Sequence, residues 1–260
     1  PSTEGFGGMD DTIYKEGIYV GYRYFNTVKE EPTFPFGYGL SYTQFKIEET
    51  DVSVNAEKVT VKVSVKNVGE YPGKEVVQVY VSKPSVKLEQ PYQDLMAFAK
   101  TKELKAGESE EVLLAFNTID MSSYDEEKAS YVLEEGVYWI RVGNSAEDTK
   151  ICAGIKLDET AIVKKCKNIC QGEKIPKPGF KTVREDVVED VPIYELYAEN
   201  VQTEEVIYSG ELSELPKIKE CTMADVKSEK ATLDEFIGTL TDEQLAYLSI
   251  GLFEDGAGMG

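Results

Sequence analysis

The sequence predicts a mainly β fold in which two antiparallel sheets pack face to face. Valine occupies every second position through residues 59–66, the period of a strand that buries one face. Further strand-sized apolar runs follow at 75–82, 110–117 and 136–144, each bounded by turn residues such as glycine and proline. Because no amphipathic helix interrupts these runs, they indicate a β-sandwich.

Weaker runs at 44–52, 94–104 and 130–134 complete about seven strands, the number typical of an immunoglobulin-like sandwich. Trp139 is the buried aromatic residue expected in such a core. The pair of cysteines that joins the sheets of antibody domains is absent from the sequence. The pattern therefore favours the fibronectin type III-like branch of this fold.

The remainder of the chain has a different character. Residues 158–221 are rich in charge and proline without a steady period, and we expect an extended connector with one or two strands. Thr232 precedes Glu235 by three residues and Thr241 precedes Gln244 by three, and both spacings are capping boxes at helix starts. The sequence therefore predicts two short helices at the end of the chain.

These helices carry an apolar face that the sandwich does not need. The face comprises Leu233, Phe236, Ile237, Leu240, Leu245 and Leu248. Two helices of this length that buried only each other would be marginally stable. Because Pro1 is not an initiator residue, we expect the sequence to be a piece of a longer polypeptide whose next domain covers this face.

Composition excludes several classes of function. The chain of 260 residues has a net charge of −20, which repels nucleic acid and anionic membranes, and it has no long apolar run. Cys152, Cys166, Cys170 and Cys221 are too few for a disulfide scaffold, and without histidine a zinc site would need all four. We therefore expect free thiols, no metal and no cofactor, and a bacterial cytoplasmic location.

An aromatic-rich turn occupies residues 34–42, and two interpretations of it remain open. Its large apolar side chains either lie at a seam with a neighbouring domain or fill the sandwich's own core. Glycines between them allow the backbone to bend sharply. The side chains concerned are Phe34, Phe36, Tyr38, Leu40 and Tyr42.

Five phrases of the sequence resemble glycoside hydrolase family 3, the β-glucosidase and β-xylosidase family, in their order and spacing. The most specific is FPFGYGLSYTQF, and the final helices, TLDEFIGTLTDEQLAYLSIG, are similar to the start of the family's barrel domain. The others are YKEGIYVGYRYF, VSVKNVGEYPGKEVVQVYVS, LKAGESEEVLLAF and LEEGVYWIRVGNSAED. Helices similar to the start of the barrel domain follow the sandwich in this sequence. This order resembles that of the subgroup of the family with permuted domains.

The resemblance implies four parts in the chain. Residues 1–31 correspond to the end of an α/β sandwich domain and 32–157 to the fibronectin type III-like sandwich. Residues 158–221 form the connector, and 222–260 correspond to the first helices of a truncated (β/α) barrel. The family's catalytic aspartate and glutamate belong to regions that this sequence does not include.

We therefore assign no catalytic residue and expect the chain alone to be inactive. Asp255 could be a sugar-binding carboxylate, but Ala257 replaces the proline of the family's phrase, and a flexible glycine-rich loop is the simpler interpretation. The loop at 82–93 could approach the mouth of an active site.

Three functions remain open. The resemblance implies a non-catalytic part of a retaining β-glycosidase that hydrolyses terminal β-linked sugars from oligosaccharides. This part would brace the α/β and barrel domains of the same polypeptide, which would be its partners. A carbohydrate-binding module would need a row of exposed rings, for which the candidates are Tyr71, Tyr80, Tyr92 and Tyr124. A protein-interaction or adhesion domain is the third possibility, because fold alone does not fix function.

Overall fold

The computed structural model describes residues 14–168, 179–180, 188, 190–205 and 220–250. The chain divides into two compact units, Pro1–Val206 and Ile207–Gly260. The strands of the first unit are β1 (Phe45–Val54), β2 (Lys58–Asn67), β3 (Val76–Ser82), β4 (Asp94–Lys100), β5 (Ser109–Asn117), β6 (Ser123–Asp125), β7 (Ser130–Leu133), β8 (Gly136–Gly143), β9 (Thr149–Leu157), β10 (Ala161–Lys165), β11 (Ile193–Leu196) and β12 (Glu204–Glu205). Its helices are α1 (Tyr22–Val28) and two 3-10 turns at Thr118–Met121 and Ala198–Asn200.

The predicted β-sandwich is confirmed. One sheet has the order β1-β2-β5 and the other β11-β9-β8-β3-β4. Except for the edge pair β11 and β9, the neighbouring strands of both sheets are antiparallel. As the alternation in β2 predicts, one face of this strand is buried. Completely buried between the sheets are Val59, Val61, Val63 and Val65.

The sheet structure extends beyond the strands that the sequence predicts. β9 was not predicted, although Ile151, Ala153, Ile155 and Leu157 alternate along it, and it pairs with β8. A third sheet has the order β12-β10-β7-β6. The segment expected to be a connector supplies β10 and β12 to this sheet and β11 to the edge of β9, the last two through parallel pairings.

The second unit contains three short helices among its described residues. They are α2 (Met223–Lys227), α3 (Leu233–Ile237) and α4 (Asp242–Ile250). The two predicted capping boxes are present, since Glu235 N donates to Thr232 Oγ1 at 3.2 Å and Gln244 N donates to Thr241 Oγ1 at 3.2 Å. α2 was not predicted, and Thr222 caps it by the same reciprocal arrangement with Asp225.

The apolar face of these helices is only partly covered within the described part of the unit. Leu233 is 52% exposed and Leu248 is 71% exposed, whereas Phe236 and Leu240 are half-buried. Each helix is too short to be stable alone, so packing must contribute most of its stability.

Candidate interdomain surface

The segment that precedes β1, residues 14–44, lies across the outer face of the five-stranded sheet. We call this segment the strap. In β3, Val77, Val79 and Val81 point into the core, so Gln78 and Tyr80 point to the opposite face. Both are nevertheless buried, at 5% and 0% exposure. The strap covers them, and the ring of Tyr22 lies 5.7 Å from that of Tyr80 at a steep angle.

An ionic contact holds the first part of the strap. Arg23 Nε lies 2.5 Å from Asp94 Oδ1, and Lys83 Nζ lies 2.9 Å from Asp94 Oδ2. The side chains of Lys83 and Asp94 are each only 9% exposed, whereas that of Arg23 is 43% exposed. Tyr22 Oη accepts a hydrogen bond from Leu95 N at 2.9 Å, which fixes the same turn of α1 to the start of β4.

Buried amide side chains hold the end of α1. Asn26 and Thr27 are buried, and Tyr92 N donates to Thr27 Oγ1 at 2.9 Å. Gln93 is completely buried, and its Nε2 donates to Asn26 Oδ1 at 3.1 Å and to Ala146 O at 2.6 Å. Because an unpaired buried amide would cost free energy, this arrangement favours one position of the strap.

The turn between β8 and β9 holds the strap at a third point. Ala146 N donates to Phe36 O at 2.8 Å. Gly37 follows with a φ of +85°, and a Cβ there would lie 3.0 Å from Asn144 O and still closer to the side chain of Gln78. Glycine is therefore required at this position both for its backbone conformation and for the close approach.

Burial changes the chemistry of the tyrosines under and within the strap. Burial raises the pKa of Tyr19 to about 12, and its Oη donates to Phe180 O at 3.1 Å. Burial also raises the pKa of Tyr22 and of Tyr80. The three phenols therefore stay neutral to a higher pH than an exposed tyrosine, whose pKa is about 10.

The aromatic turn faces outward from this anchored strap. Leu40 and Tyr42 are 91% and 95% exposed, and Phe34 is 68% exposed. Phe36 and Tyr38 are about half exposed, and their rings contact those of Tyr22 and Phe34, respectively. The interpretation that these side chains fill the sandwich's core is wrong. The expected position of these side chains at an interface with a neighbouring domain stays a prediction.

The loop at 82–93 is held by a buried carboxylate at the end of β7. Glu134 is 5% exposed, and its oxygens accept hydrogen bonds from Val86 N at 3.3 Å, Lys87 N at 2.8 Å and Leu88 N at 3.2 Å. Sequence reasoning did not single out Glu134, because one glutamate in "LEEG" gives no signal that it is buried. The loop therefore has a defined conformation.

A second buried carboxylate, Asp125, holds the turn beside this loop. Its Oδ1 accepts hydrogen bonds from Glu127 N at 3.0 Å and Lys128 N at 3.2 Å, and Lys87 Nζ lies 3.6 Å from its Oδ2. Burial pushes its pKa up, but the two backbone amides and then the two lysines outweigh burial and hold the pKa below its usual value.

We expect the Asp125 carboxylate to make stability depend on pH in the acidic range. A carboxyl group whose pKa is lowered by folding stabilises the protein fully above its unfolded pKa of about 3.9, and this contribution is lost as pH falls through the folded pKa. Asp125→Asn should therefore lower the free energy of unfolding at neutral pH, and the deficit should shrink below about pH 4. Urea unfolding across this range measures it, with the exposed Asp51→Asn as control. A deficit that is constant with pH would contradict the assignment.

The four candidate tyrosines do not form the row of exposed rings that a carbohydrate-binding module requires. Tyr80 is completely buried, and the guanidinium of Arg141 lies 4.5 Å from the centre of the Tyr92 ring. Only Tyr71 and Tyr124 of the four candidates are exposed, at 61% and 37%.

The cysteines are dispersed in the described structure. Cys166 and Cys221 are free thiols, and the buried Cys152 donates from Sγ to Ile140 O at 3.5 Å. Cys170 and Asp255 lie outside the described residues. Among the described residues, no group of three or more candidate ligands could hold a metal ion. No helix within the described ranges has the length and apolarity needed to cross a membrane.

Comparison with known proteins agrees with the architecture. The profile of the family described as fibronectin type III-like domain matches residues 75–146. Beta-glucosidase A of Butyrivibrio fibrisolvens is 33% identical over an aligned stretch of 305 residues, gaps included, and the alignment covers 95% of this chain and 35% of the relative. The chain thus spans about a third of that relative's length.

Solved structures show the same relationship. A β-glucosidase from Paenibacillus barengoltzii superposes with a TM-score of 0.67 at 34% identity, covering 95% of this chain and 28% of the other. The GH3 β-glucosidase of Bifidobacterium adolescentis superposes with a TM-score of 0.53 at 32% identity, covering 63% of this chain and 23% of the other. The chain therefore carries a fibronectin type III-like domain whose sequence and flanking segments are similar to those of family 3 β-glucosidases.

Proposed function

We propose that this chain is a non-catalytic structural portion of a β-glucosidase-like glycoside hydrolase that removes terminal β-linked sugars from oligosaccharides. In this role the sandwich braces the α/β and barrel domains of the same polypeptide. The observation that carries the proposal is the strap, whose inner side is fixed by buried polar contacts while its aromatic turn is exposed.

The energetics favour a docking role for the aromatic turn. Burying a large apolar side chain contributes about 1.5 to 3 kcal/mol. Leu40 and Tyr42, at more than 90% exposure, gain almost none of this within the chain. A polypeptide that buried them against a neighbouring domain would gain it in full. The proposed occupant is the α/β domain, because the first part of the strap, residues 14–31, resembles the end of that domain.

The share of this chain that each relative matches supports the permuted domain order. The matches to the Butyrivibrio and Paenibacillus proteins cover 95% of this chain, whereas the match to the Bifidobacterium protein covers 63%. Relatives with a barrel at the amino end would lack a counterpart of α2 to α4 behind the sandwich. This difference in coverage is what such an order produces.

The proposal is tested by activity and by stability in two settings. We expect this chain alone to show no turnover of an aryl β-glucoside, whereas a polypeptide that also contains both catalytic domains should be active. The double variant Leu40→Ser, Tyr42→Ser should lower the free energy of unfolding of the longer polypeptide by about 3 kcal/mol. In this chain it should change stability little, because both side chains are exposed.

Either of two results would contradict the bracing role. One is hydrolysis by the purified chain. The other is an equal effect of the double variant in both polypeptides, since the turn would then have no partner in the longer one. Glu57→Gln, an exposed substitution in the turn between β1 and β2, serves as the matched control for handling and expression.

A further inference from the structure

A cleft of about 520 Å³ opens between the strap, the loop at 82–93 and the segment 122–126. Sites for small molecules have volumes of about 300 to 1,000 Å³, so the cleft is large enough for a compact ligand. It is built from three separate parts of the first unit, and two of them are anchored by the buried carboxylates Asp94 and Glu134.

Hydrogen-bonded polar side chains line one part of the cleft. Lys83 Nζ lies 2.9 Å from Asp94 Oδ2 and donates to Ser123 Oγ at 3.1 Å. Ser123 Oγ in turn donates to Gln90 Oε1 at 3.1 Å. Gln90 is buried, at 9% exposure. These contacts fix the four side chains before any ligand arrives, which reduces the ordering cost of binding.

The same side chains retain hydrogen-bonding capacity toward the cleft. In the described part of the chain, the Gln90 amide nitrogen donates no hydrogen bond, and the Lys83 ammonium uses two of its three protons. The Glu89 and Glu126 carboxylates supply acceptors in the lining. Donors and acceptors therefore face the same space.

The charges of the lining cancel. Three cationic and three anionic side chains contribute, so the formal sum is zero: Lys15, Arg23 and Lys83 against Glu89, Asp94 and Glu126. The carboxylates would repel an anionic ligand, and the ammonium and guanidinium groups would repel a cation. A neutral molecule with many hydroxyl groups can pair with both kinds.

Two tyrosines also line the cleft and supply apolar surface beside these polar groups. Tyr14 is 77% exposed. Tyr124 is 37% exposed, and its Oη donates to Asn168 Oδ1 at 2.5 Å while its ring packs 5.2 Å from that of Tyr131. Tyr124 is therefore held in place, and an aromatic ring beside hydroxyl-pairing groups suits the apolar face of a sugar ring.

We propose that this cleft is a binding site for a neutral saccharide, an inference that does not depend on the bracing role. The Lys83–Ser123–Gln90 chain pairs with the sugar hydroxyls, and the Tyr124 ring contacts the sugar's apolar face. Glu134 positions the loop that carries Lys83 and Gln90.

The test is a titration of the chain with cellobiose, followed by amide NMR signals. We expect saturable binding with a Kd of about 1 mM, and shifts of the Gln90 side-chain amide and of backbone amides at 122–126. Tyr124→Ala and Gln90→Ala should each weaken binding about tenfold. Tyr124→Phe should retain it, because the ring remains. Tyr71→Ala, an exposed tyrosine outside the cleft lining, should have no effect.

Other results would overturn the proposal. They are the absence of saturation, shifts confined to residues outside the cleft, or equal affinity of Tyr124→Ala and the parent chain. Saturable binding of sodium sulfate or calcium chloride at the Gln90 amide would show that the site selects charge rather than hydroxyl groups. Circular dichroism and urea unfolding of each variant establish that a loss of binding is not a loss of folding.

Discussion

The Asp94→Ala variant is expected to unfold with a free energy about 3 to 5 kcal/mol below that of the parent chain. Asp94 pairs with Lys83 at 2.9 Å, and both side chains are 9% exposed. Removing the carboxylate leaves a buried ammonium group without its counter-ion, which costs more than the pair contributed. Urea unfolding measures the difference.

Two further variants separate the causes of this loss. Arg23→Ala removes the strap's ion pair with Asp94, but the Arg23 side chain is 43% exposed, so the loss should be below about 1 kcal/mol. Lys83→Met combined with Asp94→Ala removes both buried charges and should recover most of the loss. If the double variant were no more stable than Asp94→Ala, the unpaired ammonium would not be the cause.

Strands in which apolar residues alternate with polar ones could be predicted from the sequence. The valines of β2 alternate without exception from 59 to 65, and each is buried as expected. β9 follows the same rule, but its small residues Ala153 and Gly154 weaken the apolar signal. Capping boxes located α3 and α4, whereas α2 was missed because Asp225 stands where Glu or Gln is more usual.

The buried polar face of the five-stranded sheet could not be predicted from local pattern. Alternation in β3 and β8 predicts that Gln78 and Arg141 face water. They are buried because segments distant in sequence cover them, the strap over Gln78 and the Tyr92 ring over Arg141. Gln78 Nε2 donates to Asn144 O at 2.8 Å, and Arg141 Nε donates to Ser82 Oγ at 2.7 Å. Periodicity reports which residues share a face, and only tertiary structure decides what covers that face.

The exposure of the aromatic turn illustrates the same limit. The sequence left two positions open for Phe34 to Tyr42, because aromatic residues are used both in cores and at interfaces. Ala146 N, which donates to Phe36 O at 2.8 Å, fixes the backbone of this turn at the rim of the sheet. Together with the other contacts of the strap, this hydrogen bond holds the rings outside the core.

The turn between β8 and β9 gives the second large effect, because Gly143→Ala should lower the free energy of unfolding by about 3 kcal/mol. A Cβ at this position would lie 1.8 Å from Asp148 O and 3.0 Å from Thr149 Cα, both backbone atoms that cannot rotate away. The turn must shift. The same turn supplies Ala146, whose N–H donates to Phe36 O of the strap and whose carbonyl accepts from Gln93, which also donates to Asn26 of the strap.

The strap should therefore loosen together with the turn, and trypsin cleavage after Arg23 or Lys29 should accelerate in the Gly143→Ala variant. Gly39→Ala is the matched control, because a Cβ there meets no atom within 4 Å. It should leave stability unchanged or raise it by up to about 1 kcal/mol, since alanine restricts the unfolded chain. If Gly143→Ala lowered stability without exposing Arg23 and Lys29 to trypsin, the strap would be held independently of this turn, by Asp94 and Thr27 alone.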